Sequence, residues 1–353
     1  MQTTVLNIKQ VSNLIAQIGQ KRSVIVQGEI GIGKSSMLDM LQKQFPDHAA
    51  CYMDCTTKDL GDLMLPKMLQ ENGHDICRFA PNEEFGLHLD KPVILMLDEF
   101  GKANRAVQNA CLRMLLERKI GVYELPEGSI VFGTTNLAAE GVGDTIQPHA
   151  RNRIVFVEMR KPTSDEWIEW AMGADIAPEL LAWVNETPHC LASFKSVSNP
   201  SDNQYIFHPK DHRPSFVSPR SLAAASVLVN AREAMDQQTL IAGLAGTLGV
   251  RAAMDIQAFI HLSDQLPSWD SIMKNPTKVP VPEDAAARCM LAFTAIGRVS
   301  KETIDTWMIY NNRLPKETQA LFAMQAVKTE KRPDLLKNKD FLKWAIENNY
   351  LVS

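Results

Sequence analysis

The sequence predicts an α/β domain with a parallel sheet covered by helices, followed by an α-helical lid and a helical C-terminal extension. Three observations predict this fold class. A chain of 353 residues is long enough for two or three domains. Up to about residue 160, short β-rich runs alternate with helical patterns, which is typical of a parallel sheet connected by helices. Helical patterns follow from there to the end, so we predict domains at 1–160, 161–263 and 264–353.

Four apolar runs are predicted to be the strands of one buried sheet. They cover residues 23–26, 93–97, 129–133 and 154–159. Because the runs are continuously apolar rather than alternating, we expect both faces of the sheet to be covered. Between the second and third runs, residues 106–118 place Val107, Cys111 and Met114 on one face, which is the pattern of an amphipathic helix.

Capping signals predict where helices of the second half begin. Thr163 and Glu166 have the spacing of a capping box. Ser218 followed by Pro219 indicates an N-cap with proline at the first helical position. The polar, proline-bearing stretch 185–216 lies between these two signals and is predicted to be a long loop.

Composition and charge exclude several classes of protein. The chain carries 37 Lys and Arg against 41 Asp and Glu, a net charge of −4, so it has no overall positive field to hold nucleic acid or an acidic membrane. Its six cysteines form no CxxC pair, which disfavours a zinc site or a disulfide scaffold. We see neither a signal peptide nor an apolar stretch long enough to cross a bilayer. We therefore expect a cytoplasmic protein without a membrane partner, and nucleic acid is disfavoured as a partner.

The strongest chemical signal is the segment GEIGIGKS at residues 28–35, which fits GxxxxGK[ST] between a predicted strand and a predicted helix. Glycines let such a loop turn its backbone N–H groups into one anion-binding nest at the start of the helix. Lys34 would reach the β- and γ-phosphates of a nucleotide, and the Ser35 hydroxyl would bind Mg²⁺. A dinucleotide fingerprint is disfavoured because Ser36 stands where its third glycine is needed. The predicted nucleotide-binding residues are Gly28, Glu29, Ile30, Gly31, Ile32, Gly33, Lys34, Ser35 and Ser36.

Two acids end one predicted strand, and an amide ends the next. Asp98 and Glu99 directly follow the apolar run 93–97, which puts them at the carboxyl edge of the sheet, where ligands of open α/β sheets bind. Asp98 would hold Mg²⁺ through water, and Glu99 would polarise the water that attacks the phosphate. Asn136 ends the following strand and could position that water or contact the γ-phosphate.

Two arginines, Arg151 and Arg153, directly precede the last predicted strand. A planar guanidinium can stabilise charge spread over phosphoryl oxygens, so an arginine at a sheet edge could act on the nucleotide of a neighbouring subunit. Arginines beside a strand also commonly pair with acids or stay solvated. From the residues alone, both interpretations stay open.

The order of these motifs resembles that of the AAA+ ATPases. Members of that family have a phosphate loop, a strand ending in Asp-Glu, an Asn after the fourth strand, Asn-Arg before the fifth, and Ser-Pro-Arg opening a later helix. Residues 98–136, DEFGKANRAVQNACLRMLLERKIGVYELPEGSIVFGTTN, are similar to MoxR-type members. In those proteins an Asn-Arg segment, a Val-Gln helix and a short hairpin with a Leu-Pro turn precede the sensor strand. The resemblance covers about residues 5–220.

The resemblance implies a role for each matching position. The Walker A lysine and hydroxyl correspond to Lys34 and Ser35, Walker B to Asp98 and Glu99, sensor 1 to Asn136, the trans-acting arginine finger to Arg153, and sensor 2 to Arg220. Arg151 is the alternative finger. Residues 120–128 match the pre-sensor-1 hairpin, which in this clade lines the central pore or the substrate face. Residues 63–85 stand where the family carries its helix-2 insertion, and their shape is not defined by the sequence.

The resemblance also implies ATP and Mg²⁺ as cofactors and a homo-oligomeric ring, usually a hexamer, whose nucleotide sites are completed by the neighbour's arginine. MoxR-type proteins commonly activate or assemble a partner with a von Willebrand factor A-type domain. The expected function is therefore ATP-driven remodelling or activation of a protein. Two alternatives stay open: a nucleic-acid motor or loader on the same core, and a nucleotide-gated scaffold with little turnover.

Overall fold

The computed structural model describes residues 5–137, 152–211, 213–329 and 332–348. Strands are interspersed with helices up to residue 161, and helices follow after that residue. Contacts divide the chain into two units, Met1–Lys161 and Pro162–Ser353. The predicted fold class, a parallel α/β sheet followed by helices, is confirmed. The strands of the first unit are β1 (Val5–Leu6), β2 (Val24–Gly28), β3 (Ala49–Asp54), β4 (Met64–Glu71), β5 (His74–Pro81), β6 (Val93–Asp98), β7 (Lys119–Ile120), β8 (Tyr123–Glu124), β9 (Ile130–Asn136) and β10 (Val155–Met159). Its helices are α1 (Ile8–Ile18), α2 (Ser36–Gln44), α3 (Leu60–Leu63) and α4 (Arg105–Glu117).

Six strands form one parallel sheet in the order β1–β10–β2–β9–β6–β3. Strand β2 therefore lies between β10 and β9, and its last residue, Gly28, pairs in register with Met159 on one side and Asn136 on the other. Because all six strands run the same way, their carboxyl ends meet at one edge of the sheet. The loop that follows β2 and Asp98 at the end of β6 lie at this edge.

Both faces of the sheet are buried, as the continuously apolar runs predict. Along β6, Val93, Leu95 and Leu97 pack on one face, and Ile94 and Met96 pack on the other. Helix α4 covers the first face, and α1 and α2 cover the second. Side chains of a strand alternate between the two faces, so a strand covered on both sides must be apolar throughout. The covered sheet is a rigid support for the polar groups at its carboxyl edge.

The second unit, in its described part, packs its helices around one hydrophobic cluster that runs from Trp167 to Trp344. Thr163 caps a helix in a capping box, and Ser218 is the N-cap of another helix with Pro219 at its first position, as predicted. The cluster includes residues from both the predicted lid and the predicted extension, and the boundary between them at residue 263 stays a prediction. The helices are α5 (Ser164–Ala171), α6 (Pro178–Glu186), α7 (Pro219–Asn230), α8 (Gln237–Leu248), α9 (Val250–Ser263), α10 (Trp269–Lys274), α11 (Ala285–Arg298), α12 (Ile304–Asn311), α13 (Lys316–Ala326), α14 (Arg332–Leu335) and α15 (Lys339–Glu347).

Two antiparallel hairpins extend the first unit. Segment 63–85 contains the hairpin β4–β5, and the hairpin predicted at 120–128 is formed by β7 and β8. The two are neighbours, since a Cβ added to Gly121 would lie 2.6 Å from Met64 Cε. Four apolar side chains of the two hairpins are exposed: Leu65, Met68, Phe79 and Val122.

In the described part of the chain, every helix is too short or too polar to cross a bilayer. All six cysteines are free thiols, and five of them are buried, whereas Cys77 is exposed on β5.

Candidate nucleotide-binding site

The loop between β2 and α2 has the geometry of an anion-binding turn. Gly31 and Gly33 have φ angles of 73° and 94°, a region that side chains rarely tolerate. At Gly28 the reason for glycine is space, because a Cβ there would lie 2.7 Å from the carbonyl oxygen of Met159 on β10. Helix α2 begins at Ser36, so the amino-terminal end of this helix directly follows the loop at the carboxyl edge of the sheet. Such an N-terminus favours a phosphate.

Lys34 joins this loop to the end of β9. Its side chain is buried, and its Nζ donates to the carbonyl oxygens of Gly28 and Glu29 at 2.8 and 2.9 Å. The same Nζ donates to Asn136 Oδ1 at 2.6 Å. Because Asn136 is level with Gly28 in the sheet, the predicted Walker A lysine and sensor 1 amide lie in direct contact. The result is one ammonium group in the concavity of the loop.

Ser35 and Asp98, the two predicted magnesium ligands, also lie next to each other. The Ser35 hydroxyl donates to Asp98 Oδ2 at 3.4 Å. A hydroxyl and a carboxylate are hard oxygen ligands, which Mg²⁺ prefers. Within residues that the structure describes, no group of three or more His, Cys, Asp or Glu could hold a metal ion. Ser35 and Asp98 fit Mg²⁺ because they supply oxygen ligands, and this ion usually takes one or two protein ligands and completes its shell with water and phosphate oxygens.

Two residues that the sequence did not single out hold the Asp98 carboxylate. The Tyr52 hydroxyl donates to Asp98 Oδ2 at 3.0 Å, and the Thr134 hydroxyl donates to Asp98 Oδ1. The backbone N–H of Glu99 donates to Thr134 Oγ1 at 3.2 Å. Thr134 lies in the Gly-Thr-Thr-Asn segment at the end of β9, so its position was a usable signal. No sequence signal marked Tyr52 on β3, because only the strand order brings this residue beside Asp98.

Glu99, predicted to polarise the attacking water, follows Asp98 at the same edge of the sheet. Its backbone is left-handed, with φ at 51°, so the chain turns sharply after β6. Its Oε2 forms an ion pair with Lys102 Nζ at 3.0 Å, and its side chain is 25% exposed. The Oε2 atom itself is buried against Lys102, so the exposed part of this side chain lies at its other atoms.

Arg153 lies at the opposite edge of the sheet. It precedes β10, whose first residue, Val155, pairs with Val24, whereas its last residue pairs with Gly28 beside the loop. Arg153 is exposed and lies near the end of α4. The pKa of Glu117 in this helix is lowered mainly by its hydrogen bond with Arg113, and the positive charges of Lys119 and Arg153 lower it further. The alternative finger, Arg151, lies outside the described residues.

Arg220, predicted as sensor 2, belongs to the second unit. It is exposed in the first turn of α7, two residues after the N-cap Ser218. Its place on a capped helix follows from the Ser-Pro-Arg motif as the sequence predicts.

No protein-family profile matches the chain, and no curated protein matches it in sequence. Solved structures are similar to it at low identity. A mutant of RuvB from Thermotoga maritima is 14% identical over 94% of both chains, with a TM-score of 0.37. NtrX from Brucella abortus in complex with ATP is 12% identical over 100% of this chain and 70% of its own, with a TM-score of 0.38. Likeness at this level says nothing about activity.

Proposed function

We propose that the protein is an AAA+ ATPase of the MoxR-like clade, which hydrolyses ATP to remodel or activate a protein partner. One observation carries the proposal: Lys34 contacts Asn136 and Ser35 contacts Asp98 at a single edge of the sheet. These four residues come from two strands and from the loop that follows a third. Their convergence around a glycine loop is the arrangement that grips and polarises a polyphosphate.

Each group at the edge has a defined task toward ATP. The N–H groups of residues 28–36 bind the phosphates, and the Lys34 ammonium neutralises the β- and γ-phosphate oxygens. Ser35 and Asp98 would hold Mg²⁺, which neutralises charge on those oxygens when it is bound. Glu99 polarises the attacking water, and Asn136 orients it toward the γ-phosphate. Phosphoryl transfer requires positioning and charge stabilisation above all, and both come from this edge.

Hydrolysis is completed by a second copy of the chain. Arg153 lies at the amino-terminal edge of the sheet, away from the loop of its own protomer. In a homo-oligomeric ring, with six subunits as in the clade it resembles, that edge faces the nucleotide of the next subunit, and Arg153 stabilises the spread phosphoryl charge there. Arg220 contributes as sensor 2 from the helical unit.

The partner is a protein, and a von Willebrand factor A-type domain protein fits the clade. The exposed apolar side chains of the two hairpins, Leu65, Met68, Phe79 and Val122, suit contact with a polypeptide. A net charge of −4 does not suit a phosphate backbone, whose binding depends on lysine and arginine. We place the protein in the cytoplasm, which supplies ATP and protein partners.

Mg²⁺-dependent phosphate release from ATP by the purified full chain tests the proposed function. The wild type is expected to turn ATP over, whereas Glu99→Gln is expected to bind ATP and to lose turnover, and this variant with ATP would retain the partner in a pull-down. Tight ATP binding without turnover by the wild type would favour the nucleotide-gated scaffold. Stimulation of turnover by DNA, weakening with salt, would favour the nucleic-acid motor.

Thr134→Val is expected to raise the Mg²⁺ concentration that half-maximal ATP turnover requires. Valine keeps the shape of this buried side chain but removes the hydroxyl that orients Asp98. Loss of a group that orients a metal ligand typically lowers metal affinity by about 10- to 100-fold. A magnesium titration of phosphate release measures the effect.

The matched control is Thr135→Val, because Thr135 is also buried but its side chain alternates to the other face of β9. Equal magnesium dependence in Thr134→Val and in the wild type would contradict the orienting role of Thr134.

A further inference from the structure

An acid lies inside the phosphate-binding loop and contacts the last residue of the first unit. Glu29 directly follows Gly28, and its Oε2 lies 3.6 Å from Nζ of Lys161. Both side chains are buried, with 8% of the Glu29 side chain and 5% of the Lys161 side chain exposed. Lys161 ends the first unit, immediately before Pro162. The ion pair therefore joins the loop to the point where the chain leaves this unit.

A buried carboxylate is an unfavourable neighbour for a polyphosphate. Charges interact more strongly in a shielded site than in water, and the Glu29 carbonyl already contacts the Lys34 ammonium at 2.9 Å, so this residue belongs to the phosphate-binding concavity. A positive group beside Glu29 offsets its charge. Buried ion pairs add little stability over apolar residues of the same size. The presence of this pair in the loop therefore favours a role in binding the nucleotide over a role in stability.

The sheet fixes the position from which Lys161 reaches the loop. Met159, two residues earlier, pairs with Leu6 on β1 and with Gly28 on β2. The N–H of Arg160 then donates to the carbonyl oxygen of Leu6 at 2.9 Å. The side chain of Lys161 thus extends from backbone that is hydrogen-bonded to the sheet, which fixes the position of its ammonium beside Glu29.

We infer that Lys161 is a positioning residue for the nucleotide. Its ammonium neutralises the Glu29 carboxylate, so that the charge of this carboxylate does not oppose a polyphosphate at residues 28–36. The inference rests on the proposed function, ATP binding by this loop, and goes beyond it by making nucleotide affinity depend on the residue that ends the first unit.

The test is a fluorescence titration of the full chain with mant-ATP and Mg²⁺. Lys161→Met is expected to raise the Kd about tenfold or more, which corresponds to about 1.4 kcal/mol, because the charge of Glu29 is then less compensated. Lys161→Arg keeps the positive charge and is expected to stay within about threefold of the wild type. The double variant Glu29→Gln/Lys161→Met is expected to recover to within about threefold, a coupling that a merely structural role of Lys161 would not produce.

Lys58→Met is the matched control, because it breaks another ion pair of the same unit, with Glu84 at 2.8 Å, and is expected to leave the Kd unchanged. The inference would be overturned if Lys161→Met had the wild-type Kd, or if the double variant bound mant-ATP as weakly as the single variant. ATP binding by the wild type would in either case still support the proposed function. A wild type that binds no mant-ATP would contradict the proposed function and this inference together. If Lys161→Met does not fold, Glu29→Gln decides: it is expected to bind at least as tightly as the wild type, and weaker binding overturns the inference.

Discussion

Arg153→Ala is expected to bind ATP as the wild type does. Its rate of ATP hydrolysis is expected to fall by at least about 10³-fold, the effect of removing an arginine finger. The physical reason is the position of Arg153 in the sheet. Strand β10 runs from Val155 to Met159, a rise of about 13 Å, and the phosphate loop lies beyond its far end. An arginine side chain is shorter than that separation, so we expect Arg153 to serve a neighbouring protomer and not its own site.

Phosphate release measures the loss, and a mant-ATP titration shows that binding is retained. Arg22→Ala is the matched control, because Arg22 is exposed just before β2 and is level with Arg153 at the same edge. We expect its turnover to stay close to that of the wild type.

Mixing two inactive variants separates a trans-acting from a cis-acting arginine. An Arg153→Ala subunit keeps Glu99, and a neighbouring Glu99→Gln subunit keeps Arg153, so a mixed ring contains complete sites. In an equal, random mixture about a quarter of the sites are complete, and turnover should recover accordingly. Undiminished turnover by a monomeric Arg153→Ala protein would contradict the ring mechanism.

Lys34→Met is expected to reduce the affinity for ATP by at least about 100-fold. The ammonium is buried in the loop and would contact the β- and γ-phosphates, and each hydrogen bond to a charged group is worth about 1.5–3 kcal/mol. Methionine keeps the length of the side chain in a site where Lys34 is 6% exposed, so the loss reports charge and not a cavity. A mant-ATP titration measures it.

Lys43→Met, an exposed lysine in the last turn of the helix that follows the loop, is the control and should bind ATP normally. An unchanged Kd for Lys34→Met would show that the loop does not bind the triphosphate through this group, and the proposed function would fail with it.

The sequence predicted the residues that meet at the carboxyl edge of the sheet because the patterns that contain them are local. The glycines of the loop, Lys34 and Ser35 lie within eight consecutive residues, and their spacing reflects one turn between a strand and a helix. Asp98 was found for a similar reason, since it ends a buried strand whose apolar run is continuous. The capped starts of α5 and α7 were predictable because a cap and its helix are neighbours in the chain.

The shape of segment 63–85 was not predictable in the same way. Its two strands are exposed on most of their residues, so no buried face imposes an apolar alternation on the sequence. The pairing of Met64 with Pro81 then depends on the tight turn between the strands. Without a core to pack against, the pattern of apolar residues carries little information about structure.

What the sequence alone determined is the fold class, the phosphate loop and the acids at the strand end, because each is written in a short stretch of chain. The tertiary structure decided which groups surround them. Tyr52 and Thr134 reach Asp98 across 46 and 36 residues of sequence, and Lys161 reaches Glu29 only because β10 lies beside β2. The order of parallel strands brings these residues together, and that order is set by how the helices cover the two faces of the sheet rather than by any local motif.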